Sequence, residues 1–492
     1  MKLFGPWQRS LALVALLLPG CDRSPERIGA DDSVKVESHA VFGPVIEPFG
    51  PRSDVPTMEH PNVLLIVADD MGVDKVGIYG EGKGNLPVTS QIDALAEGGI
   101  LFRNAWANPV CSPTRAGIYT GRHAFRTGVG TAIANSDTTT LPLSEYTLPE
   151  ILNGVDYRSG LFGKWHLGRK HSAVDHGFDT HLGSLGGTLV NFDGDGDYFE
   201  YVYAVDGMEL MPTVDGALGS NSYYATYETG HDAYHWIVAQ EVQNHTWFAV
   251  VSFNAPHDPW HVPDSTVCDF NIDETASPEI EMFNAMTECM DQTIESLLQA
   301  LGDDILEDTI ILFAGDNGSH EDVVQPPFIR SRPKGTLYEG GVNVPLIVTN
   351  GYSLVHGVED PRSGPMQILN PGREVEHLVH TVDIFSTICE VAGVHPGLCA
   401  SGTDSVSLGG YFVDASVALR DVVYTERFSD GQIQRAARNY RYKLMYSDVD
   451  GVEDEEFYDL YLDEWEEEDL LEEPSPLNAV QQSNYNVLAA WL

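Results

Sequence analysis

The sequence predicts an α/β fold, with a mainly parallel sheet flanked by helices, and its length suggests a second, smaller C-terminal domain. Three observations carry the α/β prediction. Short continuous apolar runs at residues 63–67, 247–253 and 309–314 have the pattern of strands buried on both faces. Stretches of helical period alternate with them, and alternating strands and helices build parallel sheets. Four strands are followed at once by charged or polar residues, and open parallel sheets bind ligands beyond their strand C-termini.

The chain opens with Lys2 and Arg9 before the apolar run 11–18, then Leu18-Pro19-Gly20-Cys21. The run is too short to span a bilayer and reads as a signal peptide core, so residues 1–21 are the expected leader. Its end resembles the lipobox of bacterial lipoproteins, with Cys21 the lipidated residue. Pro19 is unusual in that box and leaves ordinary signal peptidase cleavage as the alternative. The protein is therefore expected to be exported, periplasmic or at the cell surface, touching the membrane only through a lipid on Cys21. Residues 22–57 are rich in Asp, Ser, Pro and Gly without periodicity and read as a flexible linker.

Charge is extreme: 27 Lys+Arg against 74 Asp+Glu, a net −47. That excludes general electrostatic attraction to nucleic acid or to an anionic membrane. It reads as a solubility adaptation to salty surroundings rather than a polycation-binding surface. Any anion site must be built locally.

The strand at 63–67 ends in Asp69-Asp70. Residues 88–99 carry Ile92, Leu95 and Ala96 on one helical face and stop at Gly98-Gly99. Within the stretch NPVCSPTRAGIYTGR (108–122), Ser112 is a favoured N-cap and Pro113 a favoured first helical residue, predicting a helix over 113–120 capped by Gly121. Cys111 then lies at a helix N-terminus, where N–H groups and the dipole attract an anion. Arg115 can reach back to the same place. On this segment alone, a buried thiol before an ordinary helix is an equal reading.

Residues 147–152 suggest a helical turn and 157–163 a strand, followed by Lys164-Trp165-His166. The strand at 247–253 is followed by Asn254-Ala255-Pro256-His257. Residues 283–301 form a helical stripe of Met286, Met290, Ile294, Leu297 and Leu298. The strand at 309–314 is followed by Gly315-Asp316-Asn317, and Lys334 lies in a glycine-bearing loop before a short strand at 345–348. Asp69, Asp70, Asp316 and Asn317 would form an all-oxygen cluster suited to Ca²⁺ or Mg²⁺. Asp193, Asp195 and Asp197 have the look of a calcium loop but lack its later glutamate, so a solvated acidic turn is expected. With Cys21 and Cys111 set aside, Cys268, Cys289, Cys389 and Cys399 remain. They permit two disulfides, most simply Cys268–Cys289 and Cys389–Cys399, or four reduced buried thiols.

The segments PNVLLIVADDMG, NPVCSPTRAGIYTGR, LFGKWHLG, NAPHDPWH, FAGDNGSH, KGTLYEGGVNVPLIV and RYKLMYSDVDGVEDEEFYDLYLDEWEEEDLL, in this order from residue 61 to 471, resemble the type I sulfatases of the alkaline phosphatase superfamily. The likeness is greatest to the arylsulfatase group that includes N-acetylgalactosamine-4-sulfatase. It implies an alkaline-phosphatase-like catalytic domain over 58–410 and a C-terminal subdomain over 411–492, with a small antiparallel sheet and a packed helix. The residues read as strand-like at 422–425 and 442–446, and the chain continues through 457–462. A helical acidic segment is expected at 464–471, with the run 464–469 a solvated face.

The resemblance further implies that Cys111 becomes Cα-formylglycine, made by a formylglycine-generating enzyme during maturation. Arg115 steadies that residue. Asp69, Asp70, Asp316 and Asn317, with position 111, hold one ion, Ca²⁺ in most such enzymes, with Mg²⁺ or Mn²⁺ as alternatives. Lys164, His166, His257 and Lys334 fall on the remaining active-site positions. The expected activity is hydrolysis of an aryl or carbohydrate sulfate by the formylglycine hydrate. The metal and both lysines would hold the sulfate oxygens, His257 would protonate the leaving group, and His166 would act as base when the aldehyde is restored. The alternatives are a phosphonate or phosphate ester hydrolase of the same superfamily, or a catalytically silent anion-binding surface protein. Trp260, His261 and Tyr338 either line the substrate pocket or pack on protein.

Overall fold

The computed structural model describes residues 60–492 except 81, 211–223, 269, 358–367, 400–401, 417 and 473–475. The expected leader, Cys21 and the linker 22–57 lie outside the described residues. Ten strands form the main sheet: β1 (Asn62–Ala68), β2 (Gly99–Trp106), β3 (Arg158–Lys164), β4 (Thr180–Ser184), β5 (Tyr203–Val205), β6 (Met208–Leu210), β7 (Trp247–Ser252), β8 (Thr309–Gly315), β9 (Leu346–Asn350) and β10 (Arg373–His380). Their order is β10-β2-β9-β8-β1-β7-β3-β4-β5-β6.

The four strands expected to end in functional residues are neighbours. β8, β1, β7 and β3 lie side by side and run parallel. β9 is antiparallel to both β8 and β2, and β5 is antiparallel to β4 and β6. The apolar runs split between the two faces. Val63, Leu65, Val67, Ile310 and Leu312 pack into one core, and Leu64, Ile66, Ile311 and Phe313 into the other. Full burial on both faces is why these strands are continuous apolar runs rather than alternating ones.

A second sheet, β11 (Val423–Ser429), β12 (Gln432–Arg438), β13 (Tyr442–Val449) and β14 (Val452–Asp459), is antiparallel throughout. One of its faces joins Trp106, Leu337 and Val342 of the main body through Val423, Ala436, Met445 and Tyr458. The other is covered by the helix Ala479–Ala489 through Leu488.

Two local expectations are corrected. The acidic segment 464–471 is a series of turns, not a helix. Asp463 accepts the N–H groups of Glu467 and Glu468, and Asp469 those of Phe457 and Leu471, so side chains take the bonds a helix would need. The packed helix comes later, capped by Asn478 at the N–H groups of Val480 and Gln481. The run 464–469 is not wholly solvated either: Glu466 is 2% exposed and pairs with Lys443.

Both disulfides form in the simpler pairing, Cys268–Cys289 and Cys389–Cys399, and Cys111 is free and buried. Among the described residues no helix is long and apolar enough to cross a membrane.

Candidate active site

The first long helix, α1, spans Ser90–Glu97, and the helix that carries Cys111, α2 (Cys111–Thr120), starts two residues earlier than its composition suggests. Val110 is the N-cap, and Cys111 is the first helical residue. Ser112 does not cap; its Oγ donates to the carbonyl of His166 at 2.8 Å, tying α2 to the turn after β3. Gly121 ends the helix in the left-handed conformation, φ 68°, as its type predicts.

Around the start of α2 the sheet edge assembles its polar residues. Ligand atoms of Asp69, Asp70, Cys111 and Asp316 all lie within 4.8 Å of one another, and all four residues are buried. Asp69 and Asp70 come from the end of β1, and Asp316 and Asn317 from the end of β8. Asn317 Nδ2 donates to Asp70 Oδ1 at 2.9 Å, and the Asp70 N–H donates to Asp316 Oδ1 at 3.2 Å. Asp70 has φ 65° and His166 φ 55°, a backbone region that non-glycine residues enter only when their surroundings over-determine it.

Cations interleave with this cluster. Lys164 Nζ donates to Asp69 Oδ2, and Lys334 Nζ donates to Asp70 Oδ2 at 2.6 Å. Arg115 is 1% exposed. Its Nε and Nη2 reach Asp316 Oδ2 at 2.9 and 2.8 Å, and its Nη1 donates to the Lys164 carbonyl at 2.9 Å and to Ser252 Oγ at 2.6 Å. Burial opposes ionisation of Asp70, but Lys334 and then His257 win and hold its carboxyl well below the usual range. At Asp316 burial and the neighbouring Asp69 outweigh Arg115, and the carboxyl is pushed up. Burial likewise pushes the Cys111 thiol up, so as a cysteine it is held neutral.

The two histidines expose opposite nitrogens. His166 Nε2 donates to the Ile133 carbonyl at 2.9 Å, which leaves Nδ1 with the lone pair and without a partner among the described residues. Burial, then Lys164 and Arg115, hold it far below the usual histidine range, so it is neutral. His257 Nδ1 donates to the Asp258 carbonyl at 2.7 Å, and its Nε2 lies 3.8 Å from Asp70 Oδ2.

Several supporting residues carry no motif. Tyr198 donates to the carbonyls of Asn254 and His257 at 2.6 and 2.8 Å and so fixes the His257 turn; it arrives from a loop with no sequence signal. Ser252, the hydroxyl that ends the apolar strand β7, accepts from Arg115 Nη1. The Lys334 loop is held from the second sheet. Arg427 donates to the Gly335 carbonyl at 2.7 Å, and buried Glu339 accepts from Arg438 and Lys443 at 2.9 and 3.1 Å. Of the candidate pocket residues, His261 packs among Tyr198, Phe199 and Tyr224, and Tyr338 bonds Glu456 under Arg332. Trp260 lies half-buried against Phe283 and His320. Asp197 caps a turn by accepting from Phe199 and Glu200, as an acidic turn should.

Known proteins resemble the chain in sequence and in fold. An N-acetylgalactosamine-6-sulfatase from Sus scrofa is 28% identical over 356 residues, covering 69% of this chain and 63% of its own. Arylsulfatase J from Mus musculus is 28% identical over 354 residues, covering 70% and 54%. The chain thus spans less than two thirds of the length of these curated relatives. Among solved structures, Ps i-CgsB in complex with k-i-k-neocarrahexaose superposes with a TM-score of 0.69 at 24% identity, covering 88% of this chain and 91% of that one. The sulfatase family model matches residues 61–394, the part of the chain that contains the whole cluster from Asp69 to Lys334. The chain belongs to the sulfatase family.

Proposed function

We propose that the protein hydrolyses sulfate monoesters, with Cys111 converted to Cα-formylglycine and one divalent cation, Ca²⁺ before Mg²⁺ or Mn²⁺, held by Asp69, Asp70, Asp316 and Asn317 beside position 111. The observation that carries this reading is the closeness of the Cys111 thiol to three buried carboxylates at the N-terminus of α2. A neutral, buried thiol among carboxylates is a poor nucleophile, which supports its replacement by another group. The donor set fits a hard cation. Asp69 Oδ1 and Asn317 Oδ1 are buried and make no hydrogen bond among the described residues, as oxygens reserved for an ion would.

When present, the ion supplies polarisation of the sulfate oxygens and the aldehyde hydrate supplies the attacking hydroxyl. The rest falls to the chain's own residues. Lys164 and Lys334 bring fixed positive charge to the sulfate oxygens. Arg115 holds Asp316 and the end of β3 in register with α2. His257, with Nδ1–H anchored on a carbonyl, presents Nε2 as the atom that protonates the leaving oxygen. His166, with Nε2–H anchored, presents Nδ1 as the base for the later proton. One fold neighbour was solved with D-glucosamine-2-N,6-O-disulfate as its substrate and another with neocarrahexaose, so sulfated sugars are the first substrates to test. The two disulfides support export to an oxidising compartment, and the lipid on Cys21 belongs to the same proposal.

The test is mass spectrometry of the peptide spanning Cys111, from protein made with a formylglycine-generating enzyme, beside kcat/KM on aryl sulfates, sulfated sugars, phosphates and phosphonates. Formylglycine with sulfate turnover is expected. A fully alkylatable thiol in active protein would sink the reading. Preference for phosphate or phosphonate esters would establish the alternative hydrolase, and tight sulfate binding without turnover a silent binding protein.

A further inference from the structure

The helix Ala225–Val242 packs against the sheet and has no role in the chemistry above. Its first two turns carry Glu228, His231 and Asp232, spaced i, i+3 and i+4, which places all three on one face. One ligand atom from each lies within 4.8 Å of the others. His231 Nδ1 is 3.7 Å from Asp232 Oδ1, and the two side chains are only 12% and 15% exposed.

The remaining polar atoms of these residues are already oriented from outside. His231 Nε2 lies 3.0 Å from Nε2 of His235, one turn further along the helix. This contact turns the Nδ1 edge of His231 toward the carboxylates. Asp232 Oδ2 accepts from the Tyr203 hydroxyl on β5, which leaves Oδ1 facing the histidine. Tyr227 stacks on the His231 ring, with centroids 5.5 Å apart and planes 29° apart, and limits its rotation. Outer partners on the second nitrogen of a ligating histidine and the second oxygen of a ligating carboxylate are how proteins orient metal ligands.

Charge argues the same way. Among the described residues neither Glu228 nor Asp232 pairs with a lysine or arginine.

We propose that Glu228, His231 and Asp232 form a second divalent-metal site, distinct from the cluster around Cys111, for an ion of the Zn²⁺ or Mn²⁺ type. One imidazole nitrogen with two carboxylate oxygens suits these ions better than Ca²⁺, whose sites are built of oxygen alone. Ligands at about 2.0–2.1 Å in a tetrahedral site stand about 3.3 Å apart, so the His231–Asp232 separation closes by a small side-chain rotation. Three protein ligands leave the remaining coordination to water. The ion would brace the helix against the β5–β6 hairpin through Asp232 and Tyr203.

The test uses the full chain loaded with Ca²⁺. Isothermal titration with ZnCl₂ and with MnCl₂, checked by elemental analysis, should show one ion bound beyond the Ca²⁺. His231→Gln should weaken that ion by at least about 100-fold, and His235→Gln by about 10-fold or more, the usual range for an outer partner. Asp316→Ala, which lies in the other cluster, should leave this ion bound. The proposal is overturned if wild type binds no further ion, if His231→Gln binds it with unchanged affinity, or if Asp316→Ala alone loses it. Anomalous diffraction at the zinc edge from wild-type crystals needs no variant: a peak between the three side chains is expected, and its absence from this helix refutes the site.

Discussion

Arg115→Met removes a guanidinium while keeping most of the side-chain stem, so the change isolates charge from packing. Two of the lost bonds, at 2.9 and 2.8 Å, belong to Asp316, which is fully buried. The Lys164 carbonyl is not orphaned, because Ser252 Oγ still donates to it at 2.7 Å. The main consequence is therefore one buried carboxylate without its counter-charge. Breaking a buried pair in this way costs about 3–5 kcal/mol. With an unfolding entropy of roughly 2 cal/mol/K per residue, that lowers Tm by about 3–5 °C in a chain of this size. The fall should be largest in chelator and smaller with Ca²⁺, since an ion beside Asp316 supplies positive charge of its own. Arg115→Lys should fall between, because one ammonium cannot hold Asp316 at two points and also serve Ser252 and the carbonyl. Urea unfolding of the three proteins, with and without Ca²⁺, measures this directly. An Arg115→Met protein within about 1 kcal/mol of wild type in chelator would refute the reasoning, since the pair would then be worth no more than an exposed one.

Asp316→Ala should abolish hydrolysis and the bound ion together. Chelation of wild type should mimic it reversibly, and full activity in protein shown by elemental analysis to be metal-free would rule this out. His257→Ala should slow sulfated sugars by about 10²–10⁴-fold and nitrophenyl sulfate far less, because only a poor leaving group needs the proton. An equal loss across aryl sulfates of graded leaving-group pKa would remove that assignment. His166→Ala, acting after departure of the leaving group, should slow all substrates alike, read as kcat across the same series. His181, buried in β4 with Nε2 donating to the Gly163 carbonyl, is pushed by burial down to about 4 from 6.5. Folding thus favours its neutral form; the contribution is full above about pH 6.5 and is lost as pH falls through about 4. His181→Gln should flatten the fall of Tm over that window, and an unchanged slope would contradict it.

The strands and the residues at their ends were legible because both signals are local. An apolar run such as 63–67 states burial on both faces by itself, and Asp69, Lys164, His257 and Asp316 follow their strands within a few residues. Parallel neighbours then bring those ends to one edge whatever the details of the loops. The acidic tail 464–471 misled for an equally local reason: its composition allows a helix, but Asp463 and Asp469 offer the backbone alternative acceptors.

What the tertiary structure alone decided is direction and partner. Lys334 precedes its strand rather than following it. It reaches the same edge only because β9 runs antiparallel to β8, so that the N-terminal end of β9 meets the C-terminal ends of the others. No local pattern encodes that direction, which is set by pairing between segments far apart in sequence. The same holds for the Arg115 bond to Asp316, made across 201 positions, and for Glu466, an acidic residue in an acidic run that is buried because Lys443 waits for it on β13. Residue type limits what a side chain can bond; long-range packing selects which bond forms, because burial makes every unpaired charge costly.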